Sequence, residues 1–222
     1  MANPKVGLLL SGCGVMDGSE IHEAVLTLLE LSRAGAEVVC IAPDVPQMHV
    51  VDHRTGNPTP ETRSILAESA RIARGAIRDI RTVRAADLDA LILPGGYGAA
   101  KNLCTFATAG VDCTVLPEVE LLLLEMHAAR KPIGAICIAP ALLARVFGKA
   151  GLAVRLTIGE DRETAAKIEQ MGARHVTRKV SEALVDPEHR IVTTPAYMLA
   201  ERIDEVAEGI RHLVREVLRL AG

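Results

Sequence analysis

The stretch Ile133-Gly134-Ala135-Ile136-Cys137-Ile138-Ala139-Pro140-Ala141-Leu142-Leu143 decides how the chain is read. It opens as an apolar strand, turns on a cysteine flanked by small residues, and continues as a helix. Pro140 falls in the first helical turn, where a missing N–H costs nothing. A side chain at such a strand-to-helix turn stands above the sheet with the helix's first N–H groups beneath it. Those donors and the helix dipole favour negative charge, which for a cysteine means a thiolate. Ala135 and Ala139 leave room for the tight backbone path of a nucleophile elbow. The competing reading is a buried cysteine acting as a small hydrophobe, the commoner fate of Cys in an apolar run. From this stretch alone the two readings stand level.

Working outward, residues 5–10 are a short continuous apolar run, as expected of a strand buried on both faces of a parallel sheet. Ser11-Gly12-Cys13-Gly14 breaks the run, and Asp17-Gly18-Ser19-Glu20 opens a helix with Asp17 as cap and Glu20 completing a capping box. Apolar residues at 21, 24, 25, 28, 29 and 31 supply its buried stripe, Gly35 ends it, and residues 37–42 form the next strand. Such a strand–helix–strand unit implies a right-handed crossover and parallel pairing. Residues 43–60 are irregular, with a hairpin turn at Arg54-Thr55-Gly56-Asn57, and a helix is expected over 61–74. Arg71, Arg74, Arg78, Arg81 and Arg84 recur at helical spacing but are interrupted at Gly75, so they read as a solvated face rather than a phosphate site.

Further strands are expected over 89–93 and 153–158, and helices over 117–130 and 162–171. A late hairpin follows around Asp186-Pro187-Glu188-His189-Arg190, and an amphipathic helix runs from Leu199. Nothing marks an internal boundary, so the expectation is one doubly wound α/β domain spanning residues 1–222.

Composition narrows the function classes. With 49% hydrophobic residues but only 2% aromatics and no Trp, the core must be built from Leu, Ile, Val and Ala. A net charge of −3 gives no reason to expect nucleic acid or an anionic membrane as partner. Five cysteines without framework spacing point to reduced thiols and a cytoplasmic setting. No run approaches the ~18 apolar residues of a membrane span. Leu10-Ser11-Gly12-Cys13 imitates a lipidation site, but the apolar run before it is too short for a signal peptide.

In doubly wound sheets, ligands collect at the carboxyl ends of the strands. Three such ends carry unusual residues: 11–23, 94–98 and Cys137. Gly95 and Gly96 free the backbone to turn N–H groups into the crevice, and with the N–H of Ile138 they can form an oxyanion hole beside the sulfur. Glu20, His22 and Glu23 lie on the opening turns of the first helix, and a glutamate there can hold or shuttle a proton for the cysteine. The spacing Gly12-x-Gly14-x-x-x-Gly18 superficially suggests dinucleotide binding, but the helix begins late and behind a carboxylate. His53, His127, His175 and His189 lack metal-ligand spacing, so no metal and no cofactor are expected.

The run Leu93-Pro94-Gly95-Gly96-Tyr97-Gly98-Ala99-Ala100-Lys101-Asn102-Leu103, followed by the Cys137 elbow, resembles the PfpI and Parkinson's-associated deglycase superfamily, whose fold is that of class I glutamine amidotransferases. More narrowly, Ser11-Gly12-Cys13-Gly14, then Asp17-Gly18-Ser19-Glu20-Ile21-His22-Glu23, and late Thr193-Thr194-Pro195-Ala196-Tyr197 resemble the ElbB-type glyoxalases, amidotransferase-like proteins associated with isoprenoid biosynthesis. The resemblance implies a flavodoxin-like three-layer sandwich, a homodimer, and Cys137 as nucleophile. It implies cofactor-independent, glutathione-independent conversion of glyoxal or a related small dicarbonyl to a hydroxy acid through a hemithioacetal.

In that superfamily a glutamate of the first helix hydrogen-bonds the cysteine. Here Glu23 is preferred and Glu20 held in reserve. Many relatives also place a histidine directly after the cysteine or at the end of the following strand. This chain has Ile138 and Thr157-Ile158-Gly159 there, with His22 the only histidine nearby. That leaves a Cys–Glu pair and argues against glutamine hydrolysis, which uses a histidine to activate the thiol. Two other classes stay in view: a redox sensor or regulatory protein whose Cys137 oxidises with little turnover, and a dinucleotide-binding oxidoreductase.

Overall fold

The apolar runs become the middle of one sheet. In the computed structural model, which describes residues 3–222, Lys5–Leu9 forms β1 and leads through a turn-rich loop into α1, Ile21–Arg33. Glu37–Ala42 is β2, the hairpin Val50–Asp52 and Asn57–Thr59 is β3 and β4, and Ile65–Ile72 is α2. Ile77–Asp79 is β5 and Ala90–Leu93 is β6, followed by two short helices, α3 over Tyr97–Lys101 and α4 over Phe106–Ala109. Pro117–Ala128 is α5, Ile133–Ile136 is β7 and Ala139–Lys149 is α6. The chain continues through β8 (Arg155–Leu156), α7 (Arg162–Gln170), β9 (Arg174–His175), β10 (Leu184–Asp186) and β11 (Ile191–Thr194) to α8 (Ile203–Ala221).

The main sheet has seven strands in the order β10-β11-β7-β6-β1-β2-β5, all neighbours parallel except the β10–β11 hairpin. Helices cover both faces. Around Leu91, Ile133 and Phe147, α5 and α6 close one core; around Leu8, Ile92 and Val192, α1 and α8 close the other. Each fully buried Leu or Ile contributes roughly 1.5–3 kcal/mol, which is why an aromatic-poor chain can sustain two cores. Among the described residues no helix is long and apolar enough to cross a membrane.

The sheet order reverses direction beside β1: β2 and β5 lie to one side, β6, β7 and β11 to the other. The carboxyl ends of β1, β6 and β7 therefore open onto one crevice, as the topological rule requires.

Several local expectations need correction. Glu20, not Asp17, caps α1: its carboxylate accepts from the Glu23 N–H at 2.7 Å. Asp17 is instead buried in the preceding loop and accepts from the Val51 N–H at 2.8 Å, a partner no local pattern could reveal. The stripe on α1 is split, because Ala24 and Leu31 face the core while Ile21, Val25 and Leu29 remain 41–47% exposed. The helix expected over 61–74 is shorter, capped by Ser64 and stopped before Gly75, and the arginine-rich stretch after it contains the edge strand β5. Residues 155–156 pair with β9 outside the main sheet.

The glycine-rich first turn is not a phosphate cradle, because its amides are already spent. The Gly12 N–H donates to Ser69 Oγ at 2.9 Å, Gly14 N–H to the Ser19 carbonyl at 2.9 Å, and Gly18 N–H to the Gly14 carbonyl at 2.7 Å. Asn102 braces this turn from α3, donating to the carbonyls of Ser11 and Asp17 at 2.8 Å each and accepting from Met48 N–H at 3.0 Å. The turn is a packed wall for the crevice.

Candidate active site

Cys137 terminates β7 with φ at 62°, a left-handed conformation that a cysteine adopts only under constraint. The Cys137 N–H is held by the Thr194 carbonyl of β11 at 3.0 Å, so the neighbouring strand enforces the elbow. Ile138 is the cap of α6, with Pro140 in the first turn as the sequence reading expects. The N–H groups of Ile138 and Gly96 both donate toward the sulfur.

Glu23 reaches the same sulfur from α1. It is fully buried, and its carboxyl is hydrogen-bonded to Cys137, to the Gly95 N–H at 2.8 Å and to the Tyr197 N–H at 3.4 Å. Burial, reinforced by the nearby Glu20 charge, pushes its carboxyl up to about 8, so Glu23 holds its proton near neutral pH. The Cys137 thiol is pushed well above its ordinary range, first by burial and then by the Glu23 charge, with the Gly96 and Ile138 amides pulling the other way. The thiolate expected from the helix terminus is thus corrected for the resting protein. Only 7% of Cys137 is exposed, and loss of water outweighs the N-terminal donors. Two groups in contact titrate as a unit. With Glu23 as donor, a deprotonated sulfur meets three hydrogen-bond donors, the arrangement that carries a buried thiolate.

Glu20 stays on the backbone of α1 as its cap and is not the sulfur's partner, though it lines the cavity above. Gly95, expected among the donors facing an anion, instead gives its N–H to Glu23. Its role is to permit close approach. A Cβ there would lie 2.5 Å from the Cys137 Cβ and 2.8 Å from Glu23 Oε2. Gly95→Ala is therefore expected to force the pair apart, lowering activity at least tenfold and stability by about 1–3 kcal/mol, read by thermal melting alongside turnover.

A cavity of about 340 Å³ opens over the sulfur, walled by Gly96, Phe106, Ile138, Thr164, Tyr197 and Met198. Tyr197, to which no sequence motif assigns a role, is delivered by a strained turn at Ala196 (φ 43°). Its hydroxyl pairs with His22 Nδ1 at 2.7 Å, so His22 is engaged by a residue of the cavity wall. After β8 the backbone amides go to nearby side chains: the Ile158 N–H donates to His175 Nε2 at 3.4 Å, and Thr157 Oγ1 accepts from the Gly159 N–H at 3.1 Å. Among the described residues no group of His, Cys, Asp and Glu is arranged to hold a metal ion.

Residues 13–151 match the DJ-1/PfpI family, a segment that carries Glu23, Gly95, Gly96 and Cys137. The chain belongs to the DJ-1/PfpI family. It is 50% identical to the rat (Rattus norvegicus) "ES1 protein homolog, mitochondrial" over 98% of this chain and 84% of that protein. It is 51% identical, with the same coverage, to the human (Homo sapiens) "Glutamine amidotransferase-like class 1 domain-containing protein 3, mitochondrial". The crystal structure of an isoprenoid biosynthesis protein with amidotransferase-like domain from Ehrlichia chaffeensis superposes with a TM-score of 0.92 at 39% identity, covering 99% of this chain and 100% of that one. The fold is the flavodoxin-like, class I glutamine amidotransferase-like sandwich of the DJ-1/PfpI family. The cytoplasmic setting expected from the unpaired cysteines is overturned by the relatives at 50–51% identity, both named as mitochondrial. Unpaired thiols report a reducing interior, and more than one compartment provides that.

Proposed function

We propose that the chain is a cofactor-independent glyoxalase converting glyoxal, or a related small dicarbonyl, to the corresponding hydroxy acid. The observation that carries this reading is the hydrogen bond between a protonated, fully buried Glu23 and the Cys137 sulfur at the base of a cavity sized for a small molecule. Once the thiol proton has left to solvent, the sulfur adds to one carbonyl carbon, and the new alkoxide takes the Glu23 proton, giving the hemithioacetal and leaving Glu23 as the carboxylate. The Gly96 and Ile138 amides, aimed at the sulfur, lie beside the oxygen that develops charge. Glu23, now a carboxylate, removes the C–H proton of the hemithioacetal and returns it to the neighbouring carbon through an enediol, leaving a thioester. Water cleaves the thioester and restores the thiol. The sum is glyoxal plus water to glycolate, with no net oxidation and no electron acceptor.

Glutamine hydrolysis is disfavoured because expelling ammonia needs a proton donor at the leaving nitrogen, and the sulfur's acid partner is the single carboxyl of Glu23. The decisive assay follows glyoxal loss and glycolate formation by NMR with chelator-treated protein; glyoxal that persists at the buffer rate removes the assignment. A homodimer completes the proposal. Ile21, Val25 and Leu29 stand at i, i+4 and i+8 on the outer edge of α1, a stripe suited to a second copy of the chain. Val25→Glu is expected to shift the light-scattering mass from dimer to monomer, and an unchanged mass would exclude this surface.

A further inference from the structure

Two cysteines that the mechanism leaves unused, Cys104 and Cys113, bracket a segment that supplies Phe106 and Ala107 to the catalytic cavity. Cys104 bridges Val115 across a short antiparallel contact, flanked by the Thr105 N–H donating to the Thr114 carbonyl and the Leu116 N–H to the Leu103 carbonyl, each at 2.9 Å. Because side chains alternate along such a contact, Cys113 shares the face of Val115 and Cys104. The two sulfurs are neighbours on that face, close enough to perturb one another's ionisation, while the Cys113 thiol points to the Met171 sulfur at 4.0 Å. Both are buried, yet their surroundings differ. Cys104 donates to the Ala99 carbonyl at 3.3 Å. Cys113 lines a separate surface cavity of about 190 Å³ together with Arg145 and Lys149, two cations that favour an anion there.

The eight residues from 105 to 112 close a loop between the two sulfurs, and that loop contributes Phe106 and Ala107 to the catalytic cavity. The Ala99 carbonyl that holds Cys104 belongs to α3, whose cap residue Gly96 donates its N–H to Cys137. The pair is therefore tied to the catalytic sulfur along two routes, one through the cavity wall and one through α3.

We propose that Cys104 and Cys113 form a reversible regulatory disulfide, driven by hydrogen peroxide, which reshapes the wall of the Cys137 cavity. The Cys113 thiolate attacks the peroxide O–O bond, becoming a sulfenic acid and releasing hydroxide, which takes up a proton to become water. The Cys104 thiol then attacks the Cys113 sulfur and expels a second water. In total, two thiols lose two electrons and two protons, and one peroxide is reduced to two waters. Cys113 is the first to react because it opens on the cavity that holds Arg145 and Lys149, and the neighbouring Cys104 and the Arg145 charge draw its thiol down to about 7, while the neighbouring Cys113 and then burial hold Cys104 up. Forming the S–S bond takes the Cys104 proton from the Ala99 carbonyl and draws the 105–112 loop inward. The helix that presents Gly96 loosens, and Phe106 moves.

The inference stands on the placement of the two sulfurs and does not require the glyoxalase reading, so its test reads the cavity directly. The 222-residue chain is treated with one equivalent of peroxide, and the rate at which the remaining Cys137 thiol is alkylated by iodoacetamide is measured before and after dithiothreitol. Peptide mass mapping is expected to recover a Cys104–Cys113 cross-link, with Cys137 alkylation changed several-fold and restored by the reductant. Cys113→Ser is expected to abolish both effects without altering basal alkylation. Cys104→Ser removes the resolving thiol and is expected to leave a sulfenic acid on Cys113 that dimedone traps. Two results would overturn the proposal: Cys137 oxidising while Cys104 and Cys113 stay unlinked, or a cross-link that leaves Cys137 alkylation unchanged.

Discussion

Cys137→Ala is expected to drop glyoxal turnover to the rate of buffer alone, a fall on the order of 10⁴-fold in kcat/KM. The whole reaction passes through a carbon–sulfur bond, so removing the nucleophile leaves nothing for Glu23 to deprotonate. The substitution is small, the site is the floor of a cavity, and the elbow is held by the Cys137 backbone and not its side chain. The variant should therefore fold, with a melting temperature close to that of the parent. Retained turnover in a folded Cys137→Ala protein would mean that the chemistry lies elsewhere.

Glu23→Gln separates two roles of the same carboxyl. An amide can still donate to the sulfur but cannot carry a proton from carbon to carbon, so kcat is expected to fall by about 10²–10³-fold. The pH profile should change as well. In the parent, the carboxyl proton is lost near pH 8, and activity declines above that point; the glutamine variant should lack this alkaline limb. Stability moves in a defined direction too. The folded-state value is raised from 4.5 to about 8, so the unfolded chain releases its proton first as pH climbs. Stability attributable to the protonated carboxyl is fully present below pH 4.5 and is lost progressively up to about pH 8, on the order of a few kcal/mol in total. Melting curves of the parent and the variant should diverge across that window and run parallel above it. A parent whose activity is flat through pH 9, with melting curves that never diverge, would show that Glu23 is ionised throughout.

Some errors of sequence reading share one cause, a partner far away in the chain. Asp17 and Glu20 both look like caps; the Val51 N–H, brought in by a hairpin, takes Asp17 and leaves the helix to Glu20. Ile21, Val25 and Leu29 match a buried stripe as well as Ala24 and Leu31 do, and only the position of α8 selects which edge is covered. The three-residue edge strand β5 sits among arginines and has no periodicity long enough to read.

By itself the sequence determined the α/β order, the elbow at Cys137 and the short-range turns, because buried parallel strands write continuous apolar runs and a strand-to-helix turn needs small residues and an early proline. It also supplied two candidate acids and ranked Glu23 ahead of Glu20. Tertiary structure supplied the physical reason, since Gly95 and Tyr197 converge on Glu23 while Glu20 is occupied by its own helix. It also decided the protonation of the pair, because a helix terminus is a local signal but loss of solvent is collective: every element that closes over the sulfur and the carboxyl adds to the cost of charge there.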